Sequence, residues 1–153
     1  MSAVSSQPAL TAERREVLRA VVERILPGSL GTGAAETDAA AGFESAVLHP
    51  FFRGLRPGIE ALLDQLQAGA GQLHGKGFSA CAPGEQDEML RALEADPSPW
   101  TRLLFRFLIW FSLEGFLGDP VHGGNRSFGG WEFIGLRAGD MRSGLCLGAQ
   151  GDR

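Results

Sequence analysis

Glu114, Asp119 and His122 are residue types that can ligate a metal ion or hold a polar ligand, and they stand close together in the chain. Their spacing matches no standard ligand motif, and a single loop histidine is more often hydrogen-bonded than metal-bound. His49 and His74 lie far off in sequence, each in its own context. Ser112 and Ser127 lack the strand-turn-helix setting of an activated serine, and neither Cys81 nor Cys146 has a recognisable neighbouring base. Gly123-Gly124-Asn125-Arg126 lacks the Lys-Ser/Thr ending of a phosphate-binding loop and does not open a helix after a strand. No catalytic, metal or cofactor-binding residue is therefore assigned. A free-standing helical domain that binds a metal or ligand through Glu114, Asp119 and His122 stands as the alternative reading.

These residues belong to a glycine-studded loop running from Leu113 to Gly139. Gly118, Gly123, Gly124, Gly129, Gly130 and Gly135 predict positive φ angles and close backbone approach at several points, hence a fixed loop shape. Asp119, preceding Pro120, is suited to start a turn by accepting backbone hydrogen bonds. Asn125 is suited to a left-handed conformation that bonds the loop back on itself. Trp131 and Phe133 then return the chain to the core. The planar guanidinium of Arg126 fits either a carboxylate or carbonyl of a partner protein or an internal clamp on the loop.

The element that must position this loop is a helix over about Pro99 to Leu117, capped by Ser98 or Pro99. Its aromatic and aliphatic residues, among them Trp100, Leu103, Phe107, Trp110, Phe111, Leu113 and Phe116, fall all round the helical wheel. A helix apolar on every side must be covered on every side. It does not read as membrane-spanning, because Arg106 and Ser112 interrupt an apolar run far short of the ~20 residues required. Either the other helices of a bundle enclose it, or one of its faces meets a second protein. Large aromatics next to Gly and Arg favour the latter.

The rest of the chain is helical in period. Thr11 caps a helix whose face carries Leu18, Val21, Val22, Ile25 and Leu26, stopped by Pro27-Gly28. A second helical run covers Ala34 to Phe52, bent or ended near Pro50. A third opens at Pro57, shows Ile59, Leu62, Leu63 and Leu66 on one face, and fades into the glycine-rich stretch Gly69 to Gly77. Phe78 pins that stretch to the core, and a short helix from Glu85 to Glu94 turns Met89, Leu90 and Leu93 inward. No repeat and no convincing strand alternation is present. The fold class is all-α: a single-domain, irregular helical bundle with a Gly-rich C-terminal loop. The domain spans residues 10–145, between a flexible tail at 1–9 and a C-terminal tail at 146–153.

Bulk properties narrow the partners. The chain has 153 residues and a formal net charge of -4, with 14 Lys and Arg scattered along it, so there is no electrostatic footprint for nucleic acid. Two cysteines are too few for a disulfide scaffold and lack zinc-site spacing, which leaves two free thiols or a pairing in an oxidising compartment. Arg14-Arg15 is the one candidate for a twin-arginine export signal. The charges that follow it break any apolar stretch and instead describe an amphipathic helix, so no export signal is read in this chain.

The segment Glu114-Gly115-Phe116-Leu117-Gly118-Asp119-Pro120-Val121-His122-Gly123-Gly124-Asn125-Arg126, followed by Gly130-Trp131-Glu132-Phe133-Ile134-Gly135, resembles the C-terminal motif of the gluconate 2-dehydrogenase subunit 3 family. Leu10-Thr11-Ala12-Glu13-Arg14-Arg15 and Ile25-Leu26-Pro27 are similar to its N-terminal part. The resemblance implies a non-catalytic small subunit that binds and stabilises an FAD-dependent dehydrogenase of the glucose-methanol-choline type, oxidising sugars, glycosides, polyols or sugar acids. FAD would sit in that catalytic partner, with a cytochrome c subunit or another acceptor receiving the electrons. Partner-binding residues are expected at Trp110, Phe111, Phe116, Asp119, Pro120, Gly123, Gly124, Asn125, Arg126 and Trp131. The resemblance implies a periplasmic location, with the cytoplasm as the alternative in the absence of an export signal.

Overall fold

In the computed structural model, residues 9–28, 33–126 and 128–136 are described. They form an all-α fold: α1 (Ala12–Ile25), α2 (Ala34–Thr37), α3 (Ala39–Leu48), α4 (Arg56–His74), α5 (Pro83–Glu94), α6 (Pro99–Leu117) and α7 (Gly129–Phe133). Short 3-10 turns lie at Pro50–Phe52, Phe78–Ala80 and Pro120–His122. The expected tail at 146–153, most of the tail at 1–9, and Ser127 and Cys146 lie outside the described residues.

Local chemistry sets most boundaries. The Thr11 side chain accepts from the Arg14 amide at the start of α1, and Ser98 does the same for Thr101 at the start of α6. Pro57, Pro83 and Pro99 occupy first-turn positions, where a missing N–H costs nothing. The run from Ala34 to Phe52 is not one helix. Asp38 adopts a left-handed conformation, φ 52°, which ends α2 and starts α3, and Pro50 opens a separate 3-10 turn. Helix α4 likewise continues past Gly69 and Gly71 to His74, ending only where Gly75 takes φ 67°. Burial of Leu66 and Ala70 outweighs the roughly 1 kcal/mol that each interior glycine costs.

Helix α6 is the hub, packed against α1, α3, α4, α5 and α7, with α3 its most extensive neighbour. The core contains Val21 and Val22 of α1, Phe43 and Val47 of α3, Ile59 and Leu63 of α4, Leu108 and Phe111 of α6, and Phe78 from the turn before α5. Ion pairs fasten the outside of α1 to its neighbours. Arg14 grips both oxygens of Asp64, at 2.9 and 2.7 Å, and reaches Glu60 at 2.6 Å. Arg15 binds Glu44 of α3, and Arg24 forks onto Asp87 of α5. The twin arginines therefore clamp the bundle. The pairing holds the Asp64 and Asp87 carboxyls below their ordinary range, chiefly through the arginine hydrogen bonds.

Candidate functional site

The loop after α6 folds into a platform built around Asn125. This side chain is fully buried, and its backbone takes φ 46°. Its Nδ2 donates to the Gly118 carbonyl at 3.1 Å, and its Oδ1 accepts from the Gly130 amide at 3.0 Å, stapling the two ends of the loop together. The Trp131 indole N–H donates to the Leu117 carbonyl at 2.6 Å, closing the C-terminus of α6. The Asp119 carboxylate accepts from the Val121 amide at 2.9 Å and starts the turn through Pro120. Arg126 serves as an internal clamp, donating to the Gly123 carbonyl and pairing with Asp38 at 3.3 Å, yet its side chain stays largely exposed.

The glycines act mainly through size. Among the described glycines of this loop, Gly123 and Gly135 alone have positive φ. Gly115 and Gly124 instead permit backbone contact between α6, α3 and the loop: a Cβ on Gly42 of α3 would lie 2.7 Å from the Gly115 Cα and 3.0 Å from the Gly124 Cα. A Cβ on Gly130 would strike the Phe116 carbonyl. The segment from Gly129 to Phe133, whose glycines suggest loop, is the short helix α7.

The ten residues expected to touch a partner divide by exposure. Phe111, Phe116, Gly124, Asn125 and Trp131 are buried and give the platform its shape, whereas Trp110, Asp119 and Arg126 face outward and Pro120 and Gly123 are half-buried. Phe133 returns to the core only in part: its ring meets the core residue Phe116 edge to face at 5.8 Å but is about half exposed, as is Ile134. Helix α6 buries Leu104, Phe105, Leu108, Phe111 and Phe116 but leaves Trp100, Leu103, Trp110 and Leu113 between 39% and 51% exposed. The bundle therefore encloses one side of this helix and leaves on the other a largely apolar stripe interrupted by the exposed Arg106.

Beside the stripe, a cleft of about 310 Å³ runs along the seam between α3 and α6 to the Asp119–Gly124 turn. Glu114, Asp119 and His122 all line it, together with Trp110 and Phe52, whose rings meet edge to face at 5.8 Å. Ser45 of α3 and His49, which caps the end of that helix, join them. His49 stands apart from this loop in sequence, and only the α3–α6 packing carries it there. Its Nδ1 accepts from the Phe51 amide, which leaves Nε2 to carry the proton of the neutral ring. Among the described residues no three His, Cys, Asp or Glu side chains are grouped to hold a metal ion, so the metal-site alternative built on Glu114, Asp119 and His122 is set aside. Cys81 is buried and has no disulfide partner among the described residues, and burial pushes its thiol up from the ordinary value.

Among the described residues no helix is long and apolar enough to cross a membrane. Comparison with known proteins gives one family, gluconate 2-dehydrogenase subunit 3, whose profile matches residues 12–139. No curated protein and no solved structure matches the chain. The match covers most of the sequence, and the chain belongs to this family of small dehydrogenase subunits.

Proposed function

Taking membership of the gluconate 2-dehydrogenase subunit 3 family as the premise, we propose that the chain is a non-catalytic small subunit that docks onto an FAD-dependent dehydrogenase of the glucose-methanol-choline type and maintains it in a folded state. The catalytic subunit binds the FAD and oxidises a hydroxyl of a sugar, glycoside, polyol or sugar acid. Electrons pass from it to a cytochrome c subunit or another acceptor, and the complex works in the periplasm. The observation that carries this reading is the largely apolar stripe of Trp100, Leu103, Trp110 and Leu113 on α6, with Phe133 and Ile134 also exposed beyond the platform. Clustered aromatics of this kind are what interface centres contain.

Stabilisation by such a subunit is mass action. A protein that binds only the folded catalytic subunit, present at a hundredfold excess over the dissociation constant, stabilises it by about 2.7 kcal/mol. The test is co-expression. The catalytic subunit made without this chain is expected to be poorly soluble or inactive, and full yield and activity in its absence would refute the proposal. Leu103→Glu with Trp110→Glu changes half-exposed positions of the stripe and should abolish co-purification, with circular dichroism of this chain checking that its helices are retained.

A further inference from the structure

The cleft between α3 and α6 has a chemistry of its own beside the apolar stripe. One wall is aromatic, formed by the half-exposed Trp110 and by Phe52. Glu114 stands one helical turn beyond Trp110 on the same face of α6, and Asp119 lies at the loop end. Neither carboxylate has a cationic partner among the described residues. The Glu114 carboxylate accepts no hydrogen bond there, and the Asp119 carboxylate accepts only from the Val121 amide. No lysine or arginine lines the cleft. Several carboxylates elsewhere, Glu44, Glu60, Asp64, Glu85 and Asp87, have arginine or lysine partners, whereas among the described residues the pair in this cleft has none. The two carboxylates in this cleft are left to an outside cation.

We propose that the cleft receives an arginine side chain from the catalytic subunit, which stacks its guanidinium on Trp110 and directs its N–H groups to Glu114 and Asp119. Guanidinium suits the site better than ammonium, because it is planar, stacks on aromatic faces and forks onto carboxylates. The occupant is a protein segment because the cleft is continuous with exposed apolar surface. Trp110 belongs to both the cleft and the stripe, and Phe51 and Val121, 80% and 79% exposed, adjoin lining residues Phe52 and His122. A docking segment that covers this surface also removes water from the ion pair, which strengthens the attraction between the charges at the cost of their desolvation and makes loss of either partner expensive.

The inference rests on the small-subunit reading, and the experiment separates the two. Wild type, Glu114→Gln, Glu114→Gln/Asp119→Asn and Trp110→Ala full-length chains are each titrated against the cognate catalytic subunit, and the dissociation constant is measured across a series of salt concentrations. Glutamine and asparagine retain shape, and the carboxamide oxygen introduced by Asp119→Asn can still accept from the Val121 amide, so folding is preserved. The double carboxamide variant is expected to bind at least about tenfold more weakly and to lose much of the salt dependence. Trp110→Ala should weaken binding while leaving that salt dependence in place. Binding by the double variant within about twofold of wild type, with an unchanged salt slope, would overturn the arginine site but not the subunit reading. A wild-type chain that does not bind the catalytic subunit would overturn both.

Discussion

Replacing Gly115 with alanine tests whether the glycines of this family motif act through backbone contact. A Cβ on Gly115 would overlap the Ala39 carbonyl oxygen and come within 3.0 Å of the Phe43 amide nitrogen. Both obstacles are backbone, so no side-chain rotation relieves them, and α3 must move away from α6. Overpacking of this kind costs up to about 3 kcal/mol, against which the helical preference of alanine over glycine returns about 1 kcal/mol. A net loss of roughly 2 kcal/mol lowers the melting temperature of a chain this size by about 4–8 °C. The matched control is Gly69→Ala in α4, where the added methyl meets nothing within 4 Å. Only the propensity gain operates there, so the melting point should rise by about 1–4 °C. Thermal unfolding of both variants by circular dichroism decides the matter. A Gly115→Ala chain that melts at or above the wild-type temperature would refute the reasoning, because α3 and α6 would then not be in backbone contact.

Three further outcomes are expected. Asn125→Ala leaves the Gly118 carbonyl and the buried Gly130 amide without their partner, so urea unfolding should show a loss of about 2–4 kcal/mol. Trp131→Phe keeps a ring in place but removes the 2.6 Å bond to Leu117; it should cost about 1–2 kcal/mol by the same assay, less than Asn125→Ala. Asp64 and Asp87 have folded-state pKa values below their unfolded ones, so their contribution is present at neutral pH and is lost as the pH falls from about 4 through the folded values. Stability measured against pH should decline over that acid range, and less steeply in Asp87→Asn.

What can be read from the sequence is what depends on near neighbours. Thr11, Pro57 and Ser98-Pro99 mark helix starts through their own hydrogen bonds or fixed φ, and each stands where the residue type predicts. Asp119 and Asn125 are legible for the same reason, since their side chains bond backbone groups within the loop. Tertiary packing hides the rest. Nothing in the helical period announces the left-handed Asp38 that divides α2 from α3, and glycine taken as a breaker ends α4 too early. The cleft is invisible in sequence because His49, Ser45 and Phe52 meet the loop only through the crossing of α3 over α6.

That crossing explains why one chain has both a tight platform and an uncovered apolar side. The two helices are in backbone contact at Gly42 and Gly115. Beyond that contact the seam along Ser45, Ala46 and His49 is open, and there Trp110 and Glu114 line the cleft. Larger residues at the contact would push α3 away from α6 and change the shape of the seam, at the expense of the platform that Gly124 packs against Gly115. The same small residues thus fix the loop and set the shape of the groove. Gly115→Ala should therefore weaken binding of the catalytic subunit by more than its loss of stability alone explains, whereas Gly69→Ala should leave binding unchanged. Equal affinity of both variants for the catalytic subunit, under conditions where each is fully folded, would separate the groove from the crossing and remove this link.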